Sequence, residues 1–140
     1  MRGLVRQYKS ALFIRNLAEQ ITHGLPPKDY RAEVEAVQKW VRNNIRYVRD
    51  IRDIETLHTP DALLNVRAGD CDDQSVLVAV LLESIGHRTG FLALGFVPDE
   101  FAHVYAITRI GQNWLSVETT EPVSIGWRPN GIVDTLVIFN

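Results

Sequence analysis

The sequence contains one cysteine, Cys71, in the run Gly69-Asp70-Cys71-Asp72-Asp73-Gln74. A thiol attacks as its thiolate, which a helix N-terminus and a nearby imidazolium both favour. Cys71 stands shortly before an unbroken apolar run, Val76 to Leu82, that is typical of a buried helix. The N-terminus of such a helix also offers backbone N–H groups that can hold an oxyanion. Cys71 is therefore a candidate nucleophile, although a single cysteine at a helix start is also a common inert packing residue.

A nucleophilic thiol needs a base, and the chain offers four histidines: His23, His58, His87 and His103. His23 stands beside a glycine at a helix end, and His58 lies in a charged loop. His87 follows the far end of the predicted Cys71 helix, roughly 20 Å from the thiol by helical rise, which is too far for a hydrogen bond. His103 is the one histidine on a predicted strand that is flanked by another strand, and we predict that it is the base.

Glu118 is the candidate for the acid that orients the base. It closes the strand after His103, and a tight turn at Gly111-Gln112-Asn113 joins the two strands. Partners in a hairpin are neighbours, so the two side chains can lie side by side. The chain order is then nucleophile, base and acid. Taken alone, His103 would be an ordinary packing residue and Glu118 an ordinary surface acid, so the prediction depends on all three positions together.

Three acids surround the thiol, namely Asp70, Asp72 and Asp73. We expect Asp70 or a neighbour to cap the helix, and Asp72 and Asp73 to complement its dipole while projecting away from Cys71. One of them could instead bind a substrate amine or a backbone loop. Their spacing lacks the alternation of a calcium loop, so no metal and no cofactor is predicted.

The elements that must position these residues are helices first and strands later. Apolar periodicity predicts one amphipathic helix over residues 3–22, a second from Asp29 to about Tyr47, a short one from Pro60 to Leu64 and the buried helix ending near Ile85. Strands are predicted over residues 90–96, 102–110, 114–118 and 135–139. This order indicates the α+β class, with N-terminal helices and a buried nucleophile helix packed on a small antiparallel sheet.

Composition narrows the classes of function. The 140 residues carry 15 basic and 17 acidic side chains and are 46% hydrophobic, which suits a single domain over residues 1–140. No clustered basic surplus indicates nucleic-acid binding. A single cysteine excludes an intramolecular disulfide and a thiolate zinc site. Neither a signal peptide nor an apolar run of membrane-spanning length is visible, so we expect a cytoplasmic protein with no membrane partner.

The run around Cys71 resembles the nucleophile segment of the transglutaminase-like superfamily, in its bacterial and phage members, which share the papain-like cysteine peptidase fold. His103-Val104-Tyr105-Ala106 resembles the histidine strand of that family, and residues 114–120 resemble the strand that ends in the family's acid. The family commonly has Asp followed by Pro where this chain has Glu118 and Thr119. The resemblance extends over about residues 34–120, which we take as the core.

The resemblance implies acyl transfer through a thioester on Cys71, with His103 moving the proton and Glu118 orienting it. Hydrolysis of an amide or peptide bond is the expected outcome, with protein-glutamine crosslinking as an alternative. The substrate would be a protein or peptide, for example a peptidoglycan peptide. The family also contains inactive members, so a non-catalytic or structural phage-associated module is a further alternative. Family members place an upstream side chain at the oxyanion, for which Tyr47, Thr59 and Gln74 are the candidates here.

Overall fold

The computed structural model of the protein describes residues 1–49 and 57–140. Within these ranges the helices are α1 (Arg2–Tyr8), α2 (Leu12–Ile21), α3 (Tyr30–Asn44), α4 (Pro60–Val66) and α5 (Cys71–Ser84), and the strands are β1 (Arg46–Tyr47), β2 (Ala68–Gly69), β3 (Thr89–Gly95), β4 (His103–Ile110), β5 (Asn113–Val117) and β6 (Asp134–Phe139). The charged loop in which the sequence places His58 extends over residues 50–56, which lie outside the described residues.

The main sheet has four antiparallel strands in the order β5-β4-β3-β6. Strands β3, β4 and β5 form the predicted meander, and β6 returns to pair with β3 at the other edge. Helices α1 to α5 all precede this sheet in the chain, which confirms the α+β class.

Helix α5 lies at the centre of the fold. Its residues Val76 to Leu82 are each at most 1% exposed, because α1, α2, α3, α4, β3 and β4 all pack around it. This confirms the buried helix that the unbroken apolar run predicts. Among the described residues, no helix is both long and apolar enough to cross a membrane.

The single helix predicted over residues 3–22 is wrong, since α1 ends at Tyr8 and α2 starts at Leu12. Ala11 is extended, with φ −67° and ψ 136°. The buried residues explain the break: Val5 is 1% exposed and Ile14 is 0% exposed. Nine residues at about 100° each would put them on opposite faces of one continuous helix. Two short helices allow both side chains to enter the same core.

Helix α3 is also shorter than the prediction to Tyr47. It ends at Asn44, and Arg46–Tyr47 forms β1, which pairs in parallel with β2. Backbone bonds from Arg46 N to Arg67 O (2.9 Å) and from Val48 N to Gly69 O (3.0 Å) flank this pair. The two-residue strands tie the segment after α3 to the segment that leads directly into Cys71.

Candidate active site

Cys71 is the first residue of α5 and is partly buried. The helix start is fixed by a reciprocal capping box. The Asp70 carboxylate accepts from Asp73 N at 3.0 Å, and the Asp73 carboxylate accepts from Asp70 N at 3.2 Å. This confirms the predicted cap and fixes the position of the thiol at the positive end of the helix dipole.

Gly69 leaves the space that this cap needs. A Cβ at this position would lie 2.7 Å from Leu63 Cδ1 and 2.9 Å from both Cβ and Oδ2 of Asp73. Any larger residue would therefore displace the Asp73 side chain that holds the helix start. This close approach gives a physical reason for the glycine two residues before the cysteine.

His103 is the first residue of β4, and its Nε2 is hydrogen-bonded to Oε2 of Glu118. The ring is also hydrogen-bonded to the Cys71 side chain, for which Nδ1 is the remaining ring nitrogen. Burial alone would lower the pKa of His103. The hydrogen bonds to Cys71 and Glu118, with their negative charges, outweigh burial and raise this pKa to about 10. His103 is therefore held as an imidazolium between the thiol and the acid.

Glu118 follows β5 directly and is 1% exposed. Its Oε1 accepts three hydrogen bonds, each 2.9 Å long, from the backbone N of Thr119, the backbone N of Thr120 and Oγ1 of Thr120. Burial favours the neutral acid, but His103 and the Thr120 donors lower the pKa of Glu118 overall. Glu118 reaches the ring of His103 even though Asp is common here in the family. The structure therefore brings all three candidate site residues together.

A second layer of contacts holds the chain just after Glu118. The buried Gln38 donates from Nε2 to the backbone oxygens of Glu118 (2.9 Å) and Val123 (3.0 Å). Arg42 donates from Nη2 to Val123 O at 2.6 Å. The sequence interpretation missed both residues. A signal was present, because Gln38 stands in the apolar stripe of α3 between Val37 and Val41.

Two contacts connect the start of α5 to the strands. Ser75 Oγ lies 2.6 Å from Cys71 O and 3.3 Å from Val104 O, next to His103 in β4. Gln74 Oε1 accepts from Thr119 Oγ1 at 2.7 Å. These bonds fix the distance between the helix that carries the thiol and the strands that carry its partners.

The acids around the thiol differ in role. Asp73 binds the preceding loop, accepting from His58 N at 2.7 Å and contacting His58 Nδ1 at 2.9 Å, in agreement with the backbone-loop alternative. Asp72 was expected to project away from Cys71, and this is wrong, since Cys71 Sγ lies 3.8 Å from Asp72 Oδ1. A residue adjacent to the thiol in the first helical turn can turn its short side chain back toward it. Burial and the nearby Asp73 and Asp72 carboxylates raise the pKa of Asp70 to about 6.

The other histidines are engaged elsewhere or exposed. His87 lies past the end of α5 and contacts Glu33 through Nε2 at 2.8 Å, away from Cys71 as expected. His23 is exposed near the end of α2. Within residues 1–49 and 57–140, no group of three or more acid, histidine or cysteine side chains is arranged to hold a metal ion.

The contacts of Tyr47, Thr59 and Gln74 distinguish these three candidates for the oxyanion donor. Gln74 is buried, with its amide engaged by Gly69 O and Thr119 Oγ1. The Thr59 side chain is hydrogen-bonded to Asp61. Tyr47 lies beside the site: partial burial and then the charge of Cys71 raise the pKa of its hydroxyl. Tyr47 is thus the candidate whose neutral hydroxyl is favoured by the charge of Cys71, and it pairs with Gly69, two residues before the thiol.

A cleft of about 670 Å³ opens beside Cys71 and His103. Cys71, His103 and Asp70 stand at one end of it, and it continues over β3 toward β6. The cleft therefore combines ionisable groups, which also include Arg2 and Asp72, with apolar side chains, an arrangement that is common at catalytic sites.

The model of the transglutaminase-like superfamily matches residues 15–119 of the chain. The protein therefore belongs to this superfamily, as the run around Cys71 indicates. No curated protein is significantly similar to the chain.

Solved structures with the same fold include two described as candidate proteases. The cysteine protease from Cytophaga hutchinsonii is 24% identical with a TM-score of 0.66, over 91% of this chain and 43% of that one. The protease from Parabacteroides distasonis is 12% identical with a TM-score of 0.66, over 81% of this chain and 25% of that one. The chain thus spans less than half the length of both. Calcium-bound LapG from Legionella pneumophila is 16% identical with a TM-score of 0.56, over 99% of this chain and 84% of that one.

Proposed function

We propose that the protein is a thiol-dependent acyl-transfer enzyme that hydrolyses an amide or peptide bond through a thioester on Cys71. The observation that carries this proposal is the continuous contact from the Cys71 thiol through the His103 ring to the Glu118 carboxylate, at the end of a cleft. Nucleophile, base and orienting acid in contact are the parts that covalent acyl transfer requires. The two solved structures described as candidate proteases support the same class of chemistry.

Each residue has a role in the reaction. The Cys71 thiolate attacks the carbonyl carbon, and the carbonyl oxygen becomes an oxyanion. His103, as imidazolium, donates its proton to the leaving amine when the C–N bond breaks, which leaves a thioester on Cys71. Neutral His103 then takes a proton from water, whose oxygen attacks the thioester. Breaking the C–S bond releases the acid and restores the thiolate, while Glu118 keeps the ring in one orientation throughout.

The oxyanion would be stabilised from two directions. The backbone N–H of Cys71 lies at the free N-terminus of α5, where the helix dipole favours negative charge. The Tyr47 hydroxyl, whose pKa is raised by partial burial and by the charge of Cys71, is the proposed second donor. A thiol nucleophile must remain reduced, so we also propose a reducing compartment, the cytoplasm, as the place of action.

Hydrolysis is favoured over crosslinking by the form of the site. Cys71 is partly exposed, and 20% of the His103 side chain is accessible. Water can therefore reach the thioester, whereas amine transfer requires that water be excluded. Protein-glutamine crosslinking remains the alternative reaction on the same residues, and a non-catalytic module is the alternative for an inert thiol.

Two assays separate these functions. Iodoacetamide should alkylate Cys71 of the folded protein faster than the same thiol in urea-unfolded protein at pH 7. Wild type and Cys71→Ala would then be incubated with dansyl-cadaverine plus casein, and separately with peptidoglycan fragments. Release of new termini by wild type alone supports the hydrolase, and incorporation of the dansyl amine identifies a transferase. A folded-state thiol that reacts no faster than the unfolded one would refute the enzyme and favour the module.

A further inference from the structure

Side chains on one face of the sheet lead away from the thiol to the edge strand β6. Ala93 of β3 lies opposite Leu136 of β6, and Phe91 lies opposite Ile138. All four line the cleft that also contains Cys71. Leu136 and Ile138 are 48% and 42% exposed, so their apolar surface forms an open wall of the cleft. Met1 at the start of α1 lines the same cleft.

We infer that this wall is a specificity subsite that binds an apolar side chain of the acyl donor, at one of the two residues nearest to the carbonyl that Cys71 attacks. The occupant is a peptide segment with a Leu-like or Phe-like side chain. The inference rests on the proposed function, because it assigns the binding partner of the same site.

The apolar wall is continuous with the site of the thiol, which indicates that a part of the substrate peptide occupies it. The apolar wall and Cys71 belong to one cleft of about 670 Å³, which is large enough for a bulky side chain together with the reacting peptide bond. A carbonyl placed at Cys71 therefore brings its neighbouring residues toward Leu136 and Ile138, the two exposed side chains of the wall. Apolar side chains gain most from leaving water at such a surface, whereas a polar amide of the same size loses its hydrogen bonds to water there.

The test compares covalent probes that differ at one side chain. The probes are short peptidyl acyloxymethyl ketones with Leu or the nearly isosteric Asn at either of the two positions nearest to the ketone. The rate of Cys71 alkylation is measured by intact mass. We expect the Leu probe to react at least about tenfold faster than the Asn probe at one of these positions, in the range that a small apolar difference gives in a pocket.

The strand supplies its own matched control. Leu136→Thr combined with Ile138→Thr removes apolar surface from the cleft wall, and threonine is β-branched and therefore suits a strand. Val137→Thr changes the opposite face of the same strand, where Val137 is 42% exposed and lies outside the cleft. The double variant should abolish the preference for Leu, and Val137→Thr should leave it within twofold of wild type.

Iodoacetamide distinguishes failure of the subsite from failure of the proposed function, because it reports thiol reactivity without occupying the wall. Rapid alkylation by iodoacetamide with no preference for Leu overturns the subsite alone. Slow alkylation by iodoacetamide overturns the proposed function itself. Native mass spectrometry of the same variants tests whether a second copy of the chain binds the wall instead. The inference is overturned if wild type is a dimer, only the double variant is a monomer, and the probe preference of the double variant is unchanged.

Discussion

His103 and Glu118 meet through one defined oxygen of the carboxylate. Oε2 of Glu118 is hydrogen-bonded to His103 Nε2, while Oε1 accepts from two backbone N–H groups and from the Thr120 hydroxyl. Because all three donors on Oε1 require an acceptor, only Oε2 is available to the ring. The carboxylate therefore keeps the proton of His103 on Nε2 and leaves Nδ1 to exchange a proton with the Cys71 thiol.

Glu118→Gln should inactivate the enzyme although it is nearly isosteric. The amide oxygen must take the place of Oε1 to satisfy the Thr119 and Thr120 donors, so the amide NH₂ faces His103. It donates to Nε2 and forces the ring proton onto Nδ1, which can then no longer accept a proton from the thiol. We expect the turnover of p-nitrophenyl acetate to fall on the order of 10²- to 10⁴-fold, the usual range for loss of a general base.

Glu118→Asp is the control for that substitution, since it keeps the charge and both acceptors at a shorter reach. It should retain more activity than Glu118→Gln. Circular dichroism would confirm that both variants are folded. Turnover by folded Glu118→Gln within tenfold of wild type would show that Glu118 does not select the tautomer of His103.

The stability of the protein should fall as the pH rises from about 6.5 toward 10. The pKa of His103 is raised to about 10 in the folded chain, against an ordinary value of 6.5. Its stabilising contribution is therefore complete below pH 6.5 and is lost as the pH rises through 10. The pKa of Asp70 is raised to about 6, so its contribution to stability varies with pH below this window and is constant within it.

Urea unfolding at intervals from pH 6 to 9.5 measures this effect. Glu118→Gln is the reference, because it removes the charge that helps to hold the proton on His103. The free energy of unfolding should decline less steeply with pH in this variant than in wild type. Parallel pH profiles for the two proteins would contradict a His103 imidazolium stabilised by Glu118.

The sequence predicted the proximity of Cys71, His103 and Glu118 better than the scaffold that holds them. Cys71, His103 and Glu118 could be placed because residue type, a helix start and a hairpin each constrain position locally. Strands of two residues, such as Arg46–Tyr47, have no periodicity that could reveal them. Their pairing with Ala68–Gly69 also depends on contacts between segments 22 residues apart in register.

Contacts between distant segments account for the other omissions. Gln38 and Glu118 O are 80 residues apart in the chain, so no local pattern connects them. The break between α1 and α2 follows from the common core that Val5 and Ile14 enter, although periodicity alone allows a continuous helix. The Asp72 side chain turns toward Cys71 through its rotamer, which helical position does not determine.

Tyr47→Phe should lower turnover and leave thiol reactivity unchanged. The substitution removes the proposed hydroxyl donor to the oxyanion, and loss of one such donor typically costs about 10²-fold or more in kcat. Alkylation by iodoacetamide forms no oxyanion and should proceed at the wild-type rate. Tyr30→Phe is the matched control, because Tyr30 packs against His87, past the far end of α5 from Cys71. Equal losses of alkylation and turnover in Tyr47→Phe would indicate a general disturbance of the site in place of oxyanion stabilisation.

Gly69→Ala should weaken both the fold and the site. Its methyl group would approach Leu63 and Asp73 to within 2.9 Å or less, so the Asp73 side chain must move and the capping box opens. Overpacking of this kind typically costs about 1–3 kcal/mol. The start of α5 would shift with the cap, so alkylation of Cys71 by iodoacetamide should slow as well.

Gly3→Ala is the matched control for Gly69→Ala, and we expect it to raise the stability of the protein. A Cβ at Gly3, in α1, has no heavy atom within 4 Å, so the added methyl group meets open space. Alanine in a helix is favoured over glycine by about 0.5–1 kcal/mol, because glycine has more conformational freedom to lose on folding. Urea unfolding should therefore show a gain in stability for Gly3→Ala and a loss for Gly69→Ala, with the wild-type alkylation rate only in Gly3→Ala. A Gly69→Ala protein with wild-type stability and alkylation would show that the close approach of Gly69 to Asp73 does not hold the nucleophile in place.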